Sequence, residues 1–314
     1  MRKEAKQTKN VTLARVQNYH EGGYGITDHE AYAFMGFRAN KYFTSDRFIV
    51  LDEHFNRPDG QPLQGFGLEI ETECNSITDA NVLAEVYDSV IFKHFPADLF
   101  KLQHDGSLGG RSSAECITQV MTKAFIRNHY KDFKLMYNTY FRGLGISCNS
   151  GRCGMHTNIS TAVFGKTEKA REEAIRKLFY IVNKHFELCC NLFNRTGSTH
   201  YCGQMDYSHA KTMNLHNFFA DHSVCFNLGH YDSGRIELRL VGGQKDFGCF
   251  RNTMESIFHL CDKVRSISWA DCDNIVKIFS GCNQYVYDRL KTKCNLSSEQ
   301  LQAIRETVVN EDLL

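Results

Sequence analysis

Three glutamates recur at every second position between residues 66 and 73. Alternate side chains of a β-strand project to opposite faces, so Glu69, Glu71 and Glu73 would share one face while apolar residues fill the other. Neighbouring carboxylates on that face would stand roughly 7 Å apart and repel one another, most strongly where the strand is half-buried. A hard divalent cation such as Mg²⁺, which takes oxygen ligands, would remove the repulsion. The pattern therefore predicts a metal site, with a hydrated acidic strand at the surface as the alternative.

A second strand-like stretch carries one acid between two arginines. Arg235, Glu237 and Arg239 alternate with aliphatic residues, and this period of two places them on one face. The glutamate is suited to a metal ion, and the arginines are suited to phosphate oxygens because the planar guanidinium matches their geometry. A ladder of ion pairs between strands is the structural alternative.

Two further stretches offer ligands of the same kind. His156 and Asn158 alternate with apolar or neutral residues on a predicted strand, and a histidine beside glutamate-rich strands is a candidate metal ligand. Glu115 lies in another predicted strand, at residues 113–117, but alternation alone does not say which face it takes. Together these stretches predict one curved sheet whose charged face is the functional site.

Helical patterns separate and follow the predicted strands. Apolar residues at a period near 3.6 predict helices over about 122–142, 168–193 and 247–264. Ser297 with Gln300 has the spacing of a capping box and predicts the start of a C-terminal helix. The predicted fold class is therefore α+β, with the helices packed on one face of the sheet.

Loops and boundaries are less regular than these elements. Residues 194–222 lack periodicity, which is typical of a functional or mobile segment, and residues 224–240 are predicted to form a hairpin. We expect an irregular lead-in over residues 1–60, a catalytic domain over 61–266, and a C-terminal helical extension packed on it over 267–314.

Composition excludes several classes of protein. The 314 residues carry a net charge of +1, so no global field favours nucleic acid or an anionic membrane as a partner. No run of about 18 apolar residues is present, which argues against a membrane span, and the basic N-terminus lacks the apolar segment of a secretory signal. The 13 cysteines are odd in number and have no paired spacing, so we expect reduced thiols in a cytoplasmic protein rather than disulfides or a zinc ribbon.

Four segments, taken together and in order, resemble the amidoligase family of carboxylate–amine ligases, which is related to glutamine synthetase and glutamate–cysteine ligase. Each motif is short and unspecific alone, and the specific signal is their co-occurrence across roughly residues 65 to 265. The segments are residues 67–71, residues 105–108 with Glu115 after them, residues 153–158, and residues 235–239.

The resemblance implies a curved, mainly antiparallel sheet of the glutamine-synthetase-like type and a role for each matching residue. Arg235 and Arg239 would bind nucleotide phosphate or a substrate carboxylate and act in catalysis. Asp105 and Ser107 would lie beside the site in an Asp-Gly-Ser turn, with Asp105 acting in catalysis and Ser107 contacting the nucleotide. Asn158 and His156 would also contact the nucleotide. Many amidoligases carry a second histidine where this chain has Asn158, which leaves the function of that position open. The metal ligands implied are Glu69, Glu71, Glu115, His156 and Glu237.

The activity implied is ATP-dependent ligation with Mg²⁺ or Mn²⁺. A glutamate-like carboxylate of an amino acid, peptide or protein would be activated as an acyl phosphate and joined to an amine, giving an amide or isopeptide bond. The absence of a Gly-rich Walker loop argues against a P-loop enzyme and leaves this activity open, because metals on a sheet would hold the phosphates. Three alternatives remain: a guanidino-kinase-type phosphotransferase, a non-catalytic relative that binds nucleotide or peptide, and an acyl-transfer enzyme that uses Cys153 or Cys202 with His156.

Overall fold

The computed structural model describes residues 64–77, 82–83, 86–95, 99–103, 108, 113–118, 120–148, 151–195, 201–216, 218 and 221–310. Strands in these residues form one seven-stranded open sheet in the order β2-β3-β1-β5-β7-β6, and β4 pairs with the far end of β1. Each strand pair is antiparallel, so the prediction of an α+β fold with a mainly antiparallel sheet is confirmed. The strands are β1 (Phe66–Cys74), β2 (Phe100–Gln103), β3 (Ser113–Thr118), β4 (Ile146–Ser147), β5 (Met155–Ser160), β6 (Phe226–Asn227) and β7 (Arg235–Leu238).

Side-chain caps define where most of the helices begin. Thr122, Thr167 and Asp246 each accept a backbone N–H of the first turn, which satisfies a donor that the helix itself leaves free. The predicted capping box of Ser297 and Gln300 is confirmed. The helices are α1 (Lys123–Asn128), α2 (Tyr130–Leu135), α3 (Glu168–Lys184), α4 (Phe186–Leu192), α5 (Phe247–Lys263), α6 (Ile275–Phe279), α7 (Gln284–Lys293) and α8 (Ser298–Arg305). Shorter turns are the π-helical Tyr87–Ile91 and Met136–Phe141 and the 3₁₀ turns Phe92–His94, Thr161–Phe164, Tyr231–Ser233 and Trp269–Asp273.

Two helices that the sequence predicts as continuous are interrupted, each at a histidine. His129 has φ −99° and ψ 14° and binds Asp132 through Nδ1 at 2.8 Å, which separates α1 from α2. His185 has φ −106° and ψ 41°, and its Nε2 binds the carbonyl of Cys272 at 3.1 Å, which separates α3 from α4. The prediction of unbroken helices over 122–142 and 168–193 is therefore wrong in detail, because the backbone dihedral angles at His129 and His185 depart from helical values.

One face of the sheet packs on helices. Phe66, Leu68 and Ile70 of β1 are almost fully buried, and the ring of Phe66 meets Phe258 of α5 edge-on at 4.8 Å between centroids. The predicted apolar stripe of α5 is buried along its whole length, from Phe247 to the end of the helix. Burial of this kind contributes about 25 cal/mol for each Å² of apolar surface, so the sheet–helix contact stabilises the fold.

Two glycines allow α4 and the loop after β4 to approach the end of β7. A Cβ on Gly243 would lie 1.6 Å from the carbonyl oxygen of Cys148, and a Cβ on Gly242 would lie 2.2 Å from the carbonyl oxygen of Asn194. The amide of Asn194 donates to the carbonyl of Gly243 at 2.6 Å. Only glycine leaves room for the contacts at positions 242 and 243. These contacts fix the position of the chain directly after β7.

The hairpin predicted over 224–240 is confirmed as β6 and β7, which pair antiparallel. The described parts of 194–222 contain turns and no helix, as their lack of periodicity predicted. Helices α6 to α8 contribute to the same hydrophobic core as α5. The predicted lead-in over residues 1–60 lies outside the described residues, and the division into domains stays a prediction.

All 13 cysteines lie within the described residues, and all are free thiols. Twelve of the thiols are buried, so cysteine serves here mainly as a small core residue. Among the described helices, none has the length and apolar character needed to cross a bilayer.

Candidate active site

Strand register brings the charged residues together on the face of the sheet that turns away from Phe66. Glu71 of β1 lies directly opposite Glu115 of β3, and Glu69 lies directly opposite His156 of β5. Directly opposed residues of antiparallel strands share a face. Glu115 therefore lies on the same face as Glu71, which the alternation of its own segment could not establish.

His156 stands at the centre of the cluster. Its Nδ1 is 3.4 Å from Oε2 of Glu69 and 3.6 Å from Oε1 of Glu237, and its Nε2 is 3.6 Å from Oε1 of Glu71. Two sets of ligand atoms, each within 4.8 Å of one another, share this histidine: Glu69, His156 and Glu237, and Glu71, Glu115 and His156. The arrangement offers two adjacent positions for a cation.

Arg239 contacts the set formed by Glu69, His156 and Glu237. Its Nη1 donates to Oε1 of Glu237 at 2.6 Å and lies 3.4 Å from Nδ1 of His156. The side chain is only 9% exposed, and its Nε finds no hydrogen-bond partner in the described part of the chain. A buried donor without a partner costs about 1–3 kcal/mol. An oxygen-bearing anion such as phosphate or carboxylate would satisfy it.

Arg235 reaches the same cluster through Asn158. The arginine Nη1 donates to Oδ1 of Asn158, and the amide Nδ2 of Asn158 donates to Oε1 of Glu69 at 2.8 Å. Asn158 is thus a link between a guanidinium and a carboxylate ligand candidate. In this structure the position orients its neighbours, which gives Asn158 a role that the family resemblance left open.

Two supporting groups were missed by sequence reasoning. Asn227 on β6 donates to Oε2 of Glu237 at 2.8 Å, but a two-residue strand carries no periodicity that could have revealed it. The backbone N–H of Gly154 donates to Oε2 of Glu71, and a Cβ there would lie 3.2 Å from Nε2 of His156. The Gly-x-His spacing could have indicated Gly154, because residues two apart on a strand lie on the same face and the glycine is therefore next to His156.

The carboxylates and the histidine shift one another's pKa in opposite directions. Burial alone would raise the pKa of Glu69, but the hydrogen bond with His156 and the positive charges of His156 and Arg235 hold it well below its usual range. Burial alone would lower the pKa of His156, but the bond with Glu69 and the negative charge of Glu71 raise it well above its usual range. The imidazole therefore acts as a cation that holds the carboxylates together.

The donor set fits a hard divalent cation. Four carboxylates (Glu69, Glu71, Glu115 and Glu237) meet two guanidiniums and one imidazole, so negative charge is in excess even when His156 is protonated. Carboxylate oxygens are the ligands that Mg²⁺ and Mn²⁺ take, and a neutral imidazole is a common additional ligand for transition metals. These residues would hold such an ion once His156 gives up its proton.

The remaining sequence candidates divide into two groups. Asp105 and Ser107 lie outside the described residues. Cys153 donates through its thiol to the carbonyl of Ser147 at 3.8 Å, and the Sγ of Cys202 accepts from Nε of Arg195 at 3.1 Å. Since His156 is surrounded by carboxylates instead, these contacts give no support to a cysteine–histidine pair.

Comparison with protein-family models and with curated proteins found no match to this chain. The resemblance to amidoligases therefore depends on the four ordered motifs and on the geometry of those of their residues that the structure describes.

Proposed function

We propose that the protein is an ATP-dependent carboxylate–amine ligase of the amidoligase type, built on a glutamine-synthetase-like sheet. The observation that carries the proposal is the meeting of four glutamates and His156 with Arg235 and Arg239 on one sheet face. These residues come from strands that are distant in sequence and adjacent in the sheet. A ladder of surface ion pairs explains this less well, because Glu71, His156, Glu237 and Arg239 are buried.

Ligation of a carboxylate to an amine requires activation, because a carboxylate is a poor electrophile. In the proposed reaction a carboxylate oxygen attacks the γ-phosphorus of ATP, ADP leaves, and an acyl phosphate forms. The amine nitrogen then attacks the acyl carbon, loses a proton, and inorganic phosphate leaves. When bound, Mg²⁺ or Mn²⁺ would neutralise the phosphates and align them for in-line attack.

The side chains of the site divide this work. Glu69, Glu71, Glu115, Glu237 and His156 provide the ligands of the cations. The orphaned Nε of Arg239 supplies a fixed donor for charge that develops on the transferred phosphoryl group, and a preorganised donor of this kind is worth about 3–4 kcal/mol in such sites. Arg235, which donates to Oδ1 of Asn158, would supply a second guanidinium for the same phosphoryl charge. Burial of the cluster limits the water that would hydrolyse an acyl phosphate.

A phosphate-release screen tests the proposal. The full-length protein is assayed with Mg-ATP or Mn-ATP against amino acids, acidic peptides and amines. We expect release that requires both a carboxylate and an amine, and we expect Glu71→Gln to reduce it about 100-fold or more, because the variant loses a charged ligand. Glu306→Gln, which changes an exposed glutamate of the C-terminal region, serves as the matched control and should retain the parent rate.

Three results would contradict the proposal. Equal turnover by Glu71→Gln and the parent, with both folded by circular dichroism, would show that the metal assignment is wrong. A stable phosphorylated amine or guanidine that returns its phosphate to ADP would identify a phosphotransferase instead. Tight Mg-ATP binding without turnover on any carboxylate and amine pair would identify a non-catalytic relative.

A further inference from the structure

A second group of metal-ligand side chains lies outside the candidate active site, at the start of α3. Glu168 and Glu172 lie about one turn apart on this helix, and His216 belongs to the irregular segment that follows α4. Nε2 of His216 is 3.4 Å from Oε1 of Glu172 and 3.8 Å from Oε1 of Glu168. One ligand atom from each of the three residues lies within 4.8 Å of the other two. The group therefore brings an imidazole and two carboxylates to one point.

Asp232 determines which nitrogen of His216 faces the glutamates with a lone pair. Its Oδ1 lies 2.6 Å from Nδ1 of the histidine. An ionised carboxylate only accepts, so the proton of the neutral imidazole lies on Nδ1 and the lone pair on Nε2. Histidines that bind metals in proteins commonly have such a carboxylate on their other nitrogen. The ring also meets Tyr231 edge-on at 5.1 Å between centroids, which fixes its orientation further.

Arg176 holds Glu172 in a matching way. The arginine Nη2 donates to Oε2 of Glu172 at 2.7 Å, and its Nε donates to the carbonyl of Met213 at 2.8 Å. Oε1 is therefore the oxygen that Glu172 presents to His216. The same arginine joins the helix to the segment that carries the histidine, so two of the three ligand candidates are oriented by groups outside the set.

The separations fit a metal ion better than a hydrogen bond. Both distances from Nε2 of His216 exceed the range of about 2.7–3.2 Å that an N–H···O bond takes, so a proton on Nε2 would bind neither glutamate well. Tetrahedral bonds of about 2.0–2.1 Å to Zn²⁺ separate ligand atoms by roughly 3.3–3.4 Å, which is close to the observed spacing. Imidazole suits zinc and other late first-row metals, whereas Mg²⁺ and Ca²⁺ prefer oxygen ligands alone.

We propose that Glu168, Glu172 and His216 bind Zn²⁺ or a similar late first-row divalent cation, with Asp232 as a positioning residue. Water would take the fourth ligand position, because the side chains are partly exposed. The ion would join the start of α3, residues 213–216 and the turn Tyr231–Ser233. Arg235 begins β7 directly after that turn, so the ion would also hold the hairpin that carries it. The inference does not depend on the ligase proposal, since its readout is metal binding.

Calorimetric titration of Zn²⁺ into the full-length protein tests the site. We expect His216→Gln to bind one equivalent fewer than the parent. Zn²⁺ held elsewhere, by the residues around His156 or by thiols, is common to both proteins and cancels in the comparison. Affinity for the same equivalent should fall roughly 100-fold in Glu172→Gln and roughly tenfold in Asp232→Asn, where the amide oxygen can still accept from Nδ1.

Neighbouring residues supply matched controls. Glu173→Gln changes the acid next to Glu172, which pairs with Lys177 at 3.3 Å instead, and His209→Gln removes an exposed histidine of the same irregular segment. Both should bind Zn²⁺ with the stoichiometry and affinity of the parent. A loss of one equivalent in His209→Gln as large as that in His216→Gln would show unspecific binding to surface histidines and would overturn the proposal.

Crystals of the parent soaked in Zn²⁺ provide a measurement that no variant's folding can affect. An anomalous difference peak at the zinc edge, between Nε2 of His216 and the carboxylates of Glu168 and Glu172, would support the site. Absence of that peak, or equal stoichiometry in the parent and a folded His216→Gln, would overturn it. The group would then be an ion-pair network that holds the hairpin turn.

Discussion

At the scale of single residues, His156 determines how the charged face is organised. Its imidazole lies within 3.6 Å of Glu69, Glu71 and Glu237 at the same time, and these come from the two strands that neighbour β5. A cationic imidazole offsets the repulsion between the acids when no ion is bound, and a divalent cation would take over that task with a stronger charge. Binding of that ion would depend on the space around Nε2 of His156 as well as on the charge of the imidazole.

Gly154 controls that space. An added Cβ would lie 3.2 Å from Nε2 of His156 and 3.3 Å from Oε2 of Glu71, which is tighter than ordinary contact. We expect Gly154→Ala to weaken Mn²⁺ binding roughly tenfold, as is typical when the support of a metal ligand is disturbed. The melting temperature should change little, because a displacement of a few tenths of an ångström relieves the contact.

Mn²⁺ binding to this variant is measured by titration calorimetry or electron paramagnetic resonance, beside thermal unfolding. Gly143→Ala is the matched control, since a Cβ at that position would meet nothing within 4 Å. Parent-like Mn²⁺ affinity in Gly154→Ala would place the ion away from Nε2 of His156.

At the scale of elements, helix α5 packs on the apolar face of the sheet and is joined to the next helix. Phe258 of α5 packs on Phe66, the first residue of β1, and His259 next to it donates through Nε2 to the carbonyl of Ile278 at 2.9 Å. This bond joins α5 to α6. The bond requires a proton on Nε2, and burial favours the neutral form of the imidazole.

His259 should make stability depend on pH. Burial lowers its pKa from 6.5 to about 4 in the folded protein. Between these values the unfolded chain binds a proton that the folded chain does not, so the free energy of unfolding falls as pH decreases from about 6.5 to about 4. The contribution is about 3 kcal/mol at most, at 1.36 kcal/mol for each pKa unit.

Urea unfolding of the parent and of His259→Gln at several pH values measures this contribution. Glutamine keeps a donor for Ile278 but does not titrate, so its unfolding free energy should fall less steeply below pH 6.5. His94→Gln, a histidine bonded to a tyrosine at 2.9 Å, is the control for a general effect of removing an imidazole. Identical slopes for the parent and His259→Gln would contradict the assignment.

At the scale of the whole molecule, local patterns predicted some features, and contacts between distant segments determined the others. The strands β1, β3 and β7 and the stripe of α5 follow from periods of 2 and 3.6, because burial of one face imposes them. The face of Glu115 depends on its pairing with Glu71 across more than 40 residues, and no local period contains that register. At the break in the helix, Nε2 of His185 binds the carbonyl of Cys272, which is 87 residues away in sequence.

The C-terminal helices are tied to the rest of the chain by a buried carboxylate. Glu255 of α5 accepts two bonds from Arg127 of α1 at 2.9 and 2.6 Å, one from Tyr130 of α2 at 2.5 Å, and one from Asn283 at the start of α7 at 2.7 Å. Its side chain is 1% exposed. The carboxylate of Glu255 thus joins four helices. We therefore expect residues 267–310 to unfold together with the sheet and not as an independent unit.

Glu255→Gln tests this coupling, because the substitution keeps the shape and removes the charge. Removing one partner of a buried ion pair costs about 3–5 kcal/mol, because the other charge stays buried beside a neutral group. Arg127 is 19% exposed, so we expect a loss of unfolding free energy at the lower end of this range. Urea unfolding is followed by circular dichroism and by the fluorescence of Trp269, the single tryptophan of the chain, which lies in the C-terminal part. The two signals should shift together to lower urea.

Asp288→Asn, an exposed acid of α7, is the control. A shift of the Trp269 signal alone would mean that the C-terminal helices fold as a separate unit, because then the charge of Glu255 would stabilise only the contact between them and α5.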